Sequence, residues 1–281
     1  MAPPDLSVVV PTAGRPSYLA VALRSLTQQN TRASFEVVVV DDGDLWATGA
    51  TAERIGARVV RHGERRGLNA ARNTGLRETS APLVAFLDDD VLAPPGWVEA
   101  VVAGARRWPE AEAFGGPIRA RLEGGALRGC GEEDPPITTL YLGPEDKETD
   151  VVWGANFALR RSAVERVGEF DESIDWSHGD EEEWLERLCR EGGEVVYLPA
   201  AGVEHRREPS DSTSRALSRE AWVRGRGARR SDSRRHAAPG IGRELRVLGG
   251  CLWHAGRRRC PYGLVMAAHS AGRVTEALRG R

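Results

Sequence analysis

The sequence predicts an α/β fold with a mostly parallel central sheet flanked by helices. Three observations predict it. Four apolar, β-branched runs recur before Asp90. They are continuous rather than alternating, as in strands covered on both faces. Amphipathic stretches separate them, giving the β-α-β-α-β-α-β order of an α/β sheet.

The elements follow in order. Leu6–Pro11 (LSVVVP) is the first strand, and Pro16, a good first-turn residue, opens a helix over Ser17–Gln28. Phe35–Asp41 (FEVVVVD) and the shorter Ala57–Arg61 are the next strands. Asn69–Thr79 is an amphipathic helix stopped by Pro82, and Leu83–Asp88 (LVAFLD) is the fourth strand. Trp97–Trp108 reads as helix, and Gly115–Leu127 with Ile137–Leu142 as short strands or a hairpin. Asp150–Arg160 reads as a strand entering a loop, and Ser162–Val167 as a short helix with a serine N-cap. Asp180–Arg190 opens on acidic residues and closes on Arg187 and Arg190, matching the helix dipole. Glu194–Pro199 and Gly202–His205 are the final strands. Glu208–Arg235 is either a solvated helix or a mobile segment. Gly240–Arg281 carries an apolar stripe (Leu245, Leu248, Leu252, Trp253), three arginines at 257–259 and a second apolar stretch, Tyr262–Ala268. The expected division is a domain over residues 1–207 and an Arg-rich helical extension over 208–281.

Composition narrows the function. The 281 residues are 41% apolar and 28% charged, ordinary for a globular protein with a sizeable core. A net charge of −2 excludes a general polyanion binder, and no nucleic-acid partner is expected. The charge is uneven: from Gly202 onward 18 arginines face seven acidic residues, so the preceding part is acidic. The N-terminus lacks the charged and apolar regions of a signal peptide, and no apolar run is long enough to span a bilayer. Cys130, Cys189, Cys251 and Cys260 are scattered, which points to reduced thiols in a cytoplasmic chain. The basic extension suits an anionic bilayer, hence peripheral contact at the inner membrane face. It equally suits a solvated, dimerising or substrate-capping helix pair.

Parallel strands place a ligand crevice outside their C-terminal ends. Those ends hold Pro11-Thr12, Asp41-Asp42, Arg61-His62 and Asp88-Asp89-Asp90. No GxGxxG, P-loop or GxSxG signature is present. What remains is carboxylate chemistry. Three adjacent aspartates repel one another unless a cation neutralises them, and Mg²⁺ or Mn²⁺ takes one or two carboxylates with phosphate oxygens and water. Asp88 and Asp90 point to one side of an extended chain; the competing reading makes the triplet a cap for a helix over Leu92–Trp97. Asp180-Glu181-Glu182-Glu183 is either dipole complementation or a carboxylate fixed at a helix N-terminus as a general base. Arg72 and Asn73 can reach a phosphate or base from a helix face. His205, beside Arg206 and Arg207 at a strand end, is a candidate metal or pyrophosphate contact.

Six segments in order resemble glycosyltransferase family 2, the inverting enzymes with the GT-A fold: SVVVPTAGRP, VVVVDDG, GLNAARNTGL, VAFLDDDVLAPPGWVE, VWGANFALRRSAVERVGEFDE and GDEEEWLERL. The resemblance spans about residues 5–207. It implies a GT-A domain moving a sugar from a nucleotide-diphosphosugar to an acceptor hydroxyl on a saccharide, a lipid-linked sugar or a small molecule. It implies a divalent cation, Mn²⁺ or Mg²⁺, held by Asp88 and Asp90, with His205 as a further ligand candidate. Pro11, Thr12, Arg15, Asp41, Asp42, Arg72, Asp88 and Asp89 would contact the nucleotide-sugar, and Gly154, Ala155 and Asn156 would line the donor or acceptor pocket. Glu181 is the expected base and Asp180 the second candidate. The first turn is Ala13-Gly14-Arg15 where the family often has Asn before Arg, and its Glu-Asp pair is Asp180-Glu181 here. The alternatives are a nucleotidyltransferase making nucleotide-sugars and a non-catalytic nucleotide-sugar-binding protein. The first usually carries a Gly-rich basic turn that PTAGRP lacks; the second would be expected to lose the acidic clusters.

Overall fold

The computed structural model describes residues 3–43, 46–125, 137–174 and 180–279. In chain order the elements are β1 (Leu6–Thr12), α1 (Pro16–Thr27), β2 (Phe35–Asp41), α2 (Trp46–Arg54), β3 (Arg58–Arg61), α3 (Leu68–Glu78), β4 (Leu83–Leu87), β5 (Val91–Leu92), α4 (Trp97–Arg107), β6 (Ala111–Gly115), β7 (Ile118–Leu122), β8 (Lys147–Glu148), β9 (Asn156–Arg160), α5 (Arg161–Val167), α6 (Asp180–Arg190), β10 (Glu194–Tyr197), β11 (Val203–Arg207), α7 (Ser214–Arg234), α8 (Ile241–Arg258) and α9 (Pro261–Arg279). They form two compact units. The first holds residues 3–119, 140–174 and 180–205; the second holds 120–125, 137–139 and 206–279.

The first unit is built on an eight-stranded sheet in the order β3-β2-β1-β4-β9-β6-β10-β8. β3, β2, β1 and β4 are mutually parallel, and β9 runs antiparallel between β4 and β6. Alternate strand residues feed two cores. Leu6, Val8, Val10 and Val39 pack with Leu19, Leu23 and Leu26 of α1 and Trp97, Val98 and Val101 of α4. Val9, Val38, Val40, Val84 and Phe86 pack with Leu76 of α3, Val167 of α5 and Trp184, Leu185 and Leu188 of α6. This two-sided burial is why the strands read as unbroken apolar runs. α3 lies so close to β1 that a Cβ on Gly75 would meet Val9 Cγ1 at 2.3 Å.

Several expectations need correction. Asp150–Arg160 is extended loop first and strand second, because β9 begins only at Asn156. α5 starts at Arg161, and Arg160 rather than Ser162 holds the N-cap position, without a side-chain cap bond. Ala111–Gly115 is a strand that no local pattern announced. The hairpin expected after Gly115 survives as the antiparallel bridge between Ile118 and Leu140; residues 126–136 lie outside the described residues. Asp88–Asp90 does not cap a helix: the chain after it forms β5, which pairs antiparallel with β11.

In the second unit, α7, α8 and α9 are helical, with Leu217 and Ala221 of α7 packed against Ile137 and Val265. Glu208–Arg235 is therefore mostly a packed helix. Gly225 and Gly272 let α7 and α9 approach closely: a Cβ on Gly272 would stand 2.1 Å from the Trp222 carbonyl oxygen. Cys189 and Cys251 are free thiols, whereas Cys260 is in a disulfide, contrary to the expectation of reduced thiols throughout. No helix among the described residues is long and apolar enough to cross a membrane.

Candidate active site

The register places the strand ends side by side. Thr12 of β1 is paired with Asp41 of β2, and Asp41 with Arg61 of β3. Pro11 lies one residue back, opposite Val40. β4 ends at Leu87, so Asp88 emerges at the same edge. β9, running the other way, starts there: Asn156 is opposite Leu87, bringing Gly154 and Ala155 beside the aspartates.

The aspartates divide their work. Asp89 is fully buried and accepts from Thr12 Oγ1 at 2.6 Å and from Arg15 Nε at 3.2 Å. Burial pushes its carboxyl up to about 7, against the pull of Arg15. Asp90 accepts from Arg15 Nη1 at 2.8 Å and lies 3.3 Å from His205 Nε2, which the β5–β11 pairing delivers. Burial opposes the charge on Arg15, but Asp90 and Asp89 outweigh it and hold the guanidinium above its ordinary range. Asp88 keeps partial access to solvent from a deeply enclosed position. Burial, then Asp90, drives its carboxyl upward; Arg72, His205 and Arg15 pull it back.

The second acidic cluster opens α6. Asp180 is ion-paired to Arg72 of α3, and both are buried. Burial alone would raise the Asp180 carboxyl, but the Arg72 charge reverses the balance and holds it below its ordinary range. Glu181 next to it accepts from the Gly154 backbone N–H at 3.0 Å. Burial, and then the Asp180 charge, raise its carboxyl well above the ordinary value. Gly154 has no room for a side chain: a Cβ would meet Arg72 Nη2 at 2.3 Å. Arg72 lies over the Phe170 ring at 5.5 Å, and Phe170 packs on Phe86 and Trp184. The loop before β9 links the two clusters: Gly154 donates to Glu181, and Asn156, two residues on, is paired with Leu87, next to Asp88.

Some candidates serve the scaffold instead. Asn156 accepts from Trp97 Nε1 at 3.1 Å and donates to the Ala201 carbonyl at 2.8 Å, so its amide ties β9 to α4 rather than lining an open pocket. Asn73 clamps the Phe170 backbone from both sides, and Arg72 faces Asp180 rather than a free phosphate position. Asp42 accepts from the backbone N–H groups of Arg66 and Gly67, both at 2.8 Å, and meets His62 Nδ1 at 2.7 Å, which organises the loop before α3. Asp41 accepts from the Gly43 N–H at 3.2 Å, with burial raising its carboxyl. Arg206 is paired with Glu123 and Arg207 with Glu220, so neither stands ready for a pyrophosphate. Sequence reasoning missed the role of His62, whose Nε2 lies 2.9 Å from Thr74 Oγ1; its place at the end of β3 was the available signal.

The donor set suits a hard divalent cation: carboxylates at 88 and 90 and an imidazole at 205, with Asp88 partly open to solvent. Three such donors do not converge into a complete metal centre among the described residues. A cation there would complete its shell with phosphate oxygens and water.

A doubly covered α/β sheet with two carboxylate clusters at its C-terminal edge has the layout of an enzyme that binds its ligand in the crevice at the strand ends. The profile of Glycosyl transferase family 2 matches residues 7–168, and the chain belongs to that family. The pre-mycofactocin glycosyltransferase of Mycobacterium tuberculosis is 30% identical over 217 residues, covering 72% of this chain and 42% of that protein. The chain thus spans less than half the length of this relative. Among solved structures, the mannosyltransferase PcManGT of Pyrobaculum calidifontis in complex with GDP-Man and Mn²⁺ matches at TM-score 0.62, 18% identity, covering 99% of this chain and 76% of that one. GalNAc-T7 with UDP, GalNAc and Mn²⁺ matches at TM-score 0.59 and 19% identity, covering 79% and 48%. These likenesses show a GT-A fold.

Proposed function

We propose that the chain moves a sugar from a nucleotide-diphosphosugar to an acceptor hydroxyl with inversion at C1, in a divalent-cation-dependent reaction. The observation that carries this reading is the loop before β9, where Gly154 donates to Glu181 and Asn156 pairs with Leu87, next to Asp88. It brings a base and a diphosphate-side carboxylate to the same edge of the sheet.

Asp88 and Asp90, with His205 beside Asp90, are the residues that would hold Mn²⁺ or Mg²⁺. When bound, the cation offsets the negative charge that develops on the departing nucleoside diphosphate. Glu181 is the general base. Its raised carboxyl makes it a stronger proton acceptor than an ordinary glutamate, while the Gly154 N–H fixes one oxygen. Asp180, held anionic by Arg72, keeps that basicity high and serves as a positioning residue. Thr12, Arg15 and Asp89 fix the first turn, and Asp41 and Asp42 shape the edge where the base and ribose would lie.

Incubation with UDP-, GDP- and dTDP-sugars plus Mn²⁺ tests the reading. One donor should release its nucleoside diphosphate slowly, faster with an acceptor. Asp90→Ala should abolish release and weaken Mn²⁺ binding; Glu181→Gln should slow transfer by about 10²–10⁴-fold while retaining donor binding. Pyrophosphate release from a nucleoside triphosphate and a sugar phosphate would replace this proposal with a nucleotidyltransferase. Donor binding without turnover under any acceptor would replace it with a binding protein.

A further inference from the structure

Among the described residues, α8 carries an apolar face that is left partly uncovered. Its packed side is marked by the buried Glu244 and Ala255 and by Cys251, 3.8 Å from Ser270 of α9. Ile241, Leu245, Leu248 and Leu252 follow at helical spacing along a neighbouring arc, with Trp253 at its edge. Leu245 and Leu252 are half exposed, and Trp253 is 66% exposed. Beside the arc there is open space among the described residues: a Cβ on Gly242, Gly249 or Gly256 would meet nothing within 4 Å. No charged side chain falls inside this arc.

The charges beside it have one sign. Arg243, Arg246, Arg257 and Arg258 of α8, and Arg259 at its C-cap, are all exposed. Among the described residues none of the five is paired with a carboxylate. Arg257 lies over the Trp253 ring at 5.5 Å, so a cation is carried on the indole face at the border of the apolar arc. The acidic residue of the helix, Glu244, is turned inward onto Arg273 and Arg229.

We propose that α8 lies on an anionic lipid bilayer, with Leu245, Leu252 and Trp253 entering the headgroup–acyl boundary and the flanking arginines reaching the lipid phosphates. The pattern is that of an interfacial helix: an apolar arc, a cationic border, and an aromatic ring at the dividing line. Arginine stems extend along apolar surface while their heads stay at the headgroups. A second copy of the chain is a poorer occupant, because a twofold pairing of this face would bring like charges together. This inference stands apart from the proposed transfer reaction, since attachment is read with neither donor nor acceptor present.

Flotation of the full chain with vesicles of phosphatidylcholine alone, or of phosphatidylcholine with phosphatidylglycerol, tests it. Binding should favour the phosphatidylglycerol vesicles by about tenfold or more and weaken as salt rises. The double variant L252E/W253E, at exposed positions, should lose this binding by about tenfold or more. The variant R243E/R246E should lose only the preference for anionic lipid. Brominated lipids should quench tryptophan fluorescence of the unaltered chain, a readout that needs no variant. Equal affinity for both vesicle types, unchanged binding by L252E/W253E, or absence of quenching would overturn the proposal. So would a self-associated chain that L252E/W253E turns monomeric without changing flotation.

Discussion

Replacing Arg72 by methionine isolates the electrostatic centre of the site. The methionine keeps an apolar stem near Phe170 but removes the cation from two buried carboxylates. Arg72 is 2% exposed and its partner Asp180 5%. Breaking a buried pair from one side costs about 3–5 kcal/mol, because the remaining charge stays desolvated. For a unit of this size that lowers Tm by about 10 °C. The loss should be largest at neutral pH. Asp180 is held below its ordinary 3.8, so the stability it draws from Arg72 is present above that pH and disappears as the pH falls through the folded value. Asp180→Asn supplies the control, because it deletes the orphaned charge. In urea titrations Arg72→Met/Asp180→Asn should recover about 2 kcal/mol relative to strict additivity. A loss below about 1 kcal/mol for Arg72→Met, or strictly additive single effects, would refute the assignment of Arg72 as the buried counter-charge.

Other consequences are separately measurable. Transfer rate should rise with pH through a midpoint above 4.5, since Glu181 must be deprotonated and its environment opposes that; Glu181→Gln should lower kcat by about 10²–10⁴-fold and remove this limb of the profile. Gly75→Ala forces a methyl into Val9 and should lower unfolding free energy by about 1–3 kcal/mol without altering the acidic clusters. Gly250→Ala, in open space on α8, should instead raise stability by up to about 1 kcal/mol through helix propensity, read as a higher Tm.

The first unit was legible where local pattern and burial agree. Phe35–Asp41 was bounded correctly because it is an unbroken β-branched run closed by an aspartate, and Asp180–Arg190 because its apolar residues recur at helical spacing between charged ends. β9 was misplaced because Val151, Val152 and Trp153 are as apolar as a strand, yet Val152 is buried in extended loop against Gly115. Which part pairs depends on β4 and β6, distant in sequence. Side-chain partners were hidden for the same reason. A polar residue on the exposed face of a lone helix looks ready to bind phosphate; Arg72 and Asn73 instead meet α6 and the turn at Phe170. The chemistry of 88, 90 and 205 was readable as residue types, but the adjacency of Asp90 and His205 required the β5–β11 pairing.

That pairing and the reversed β9 explain why acidic residues remote in sequence share an edge. In a wholly parallel sheet every segment reaches the C-terminal edge at a strand end, and the next strand starts at the opposite one. β9 inverts this: it starts at the functional edge, so the loop before it delivers Gly154 beside Asp88. Gly154 then fixes Glu181 through its N–H, and its missing side chain admits Arg72. Glu181, Asp180 and Arg72 are thus set by one antiparallel strand and one glycine. Any side chain at 154 must therefore disturb Arg72 and Glu181 together, and Gly154→Ala should reduce transfer and the Arg72–Asp180 coupling in the same variant.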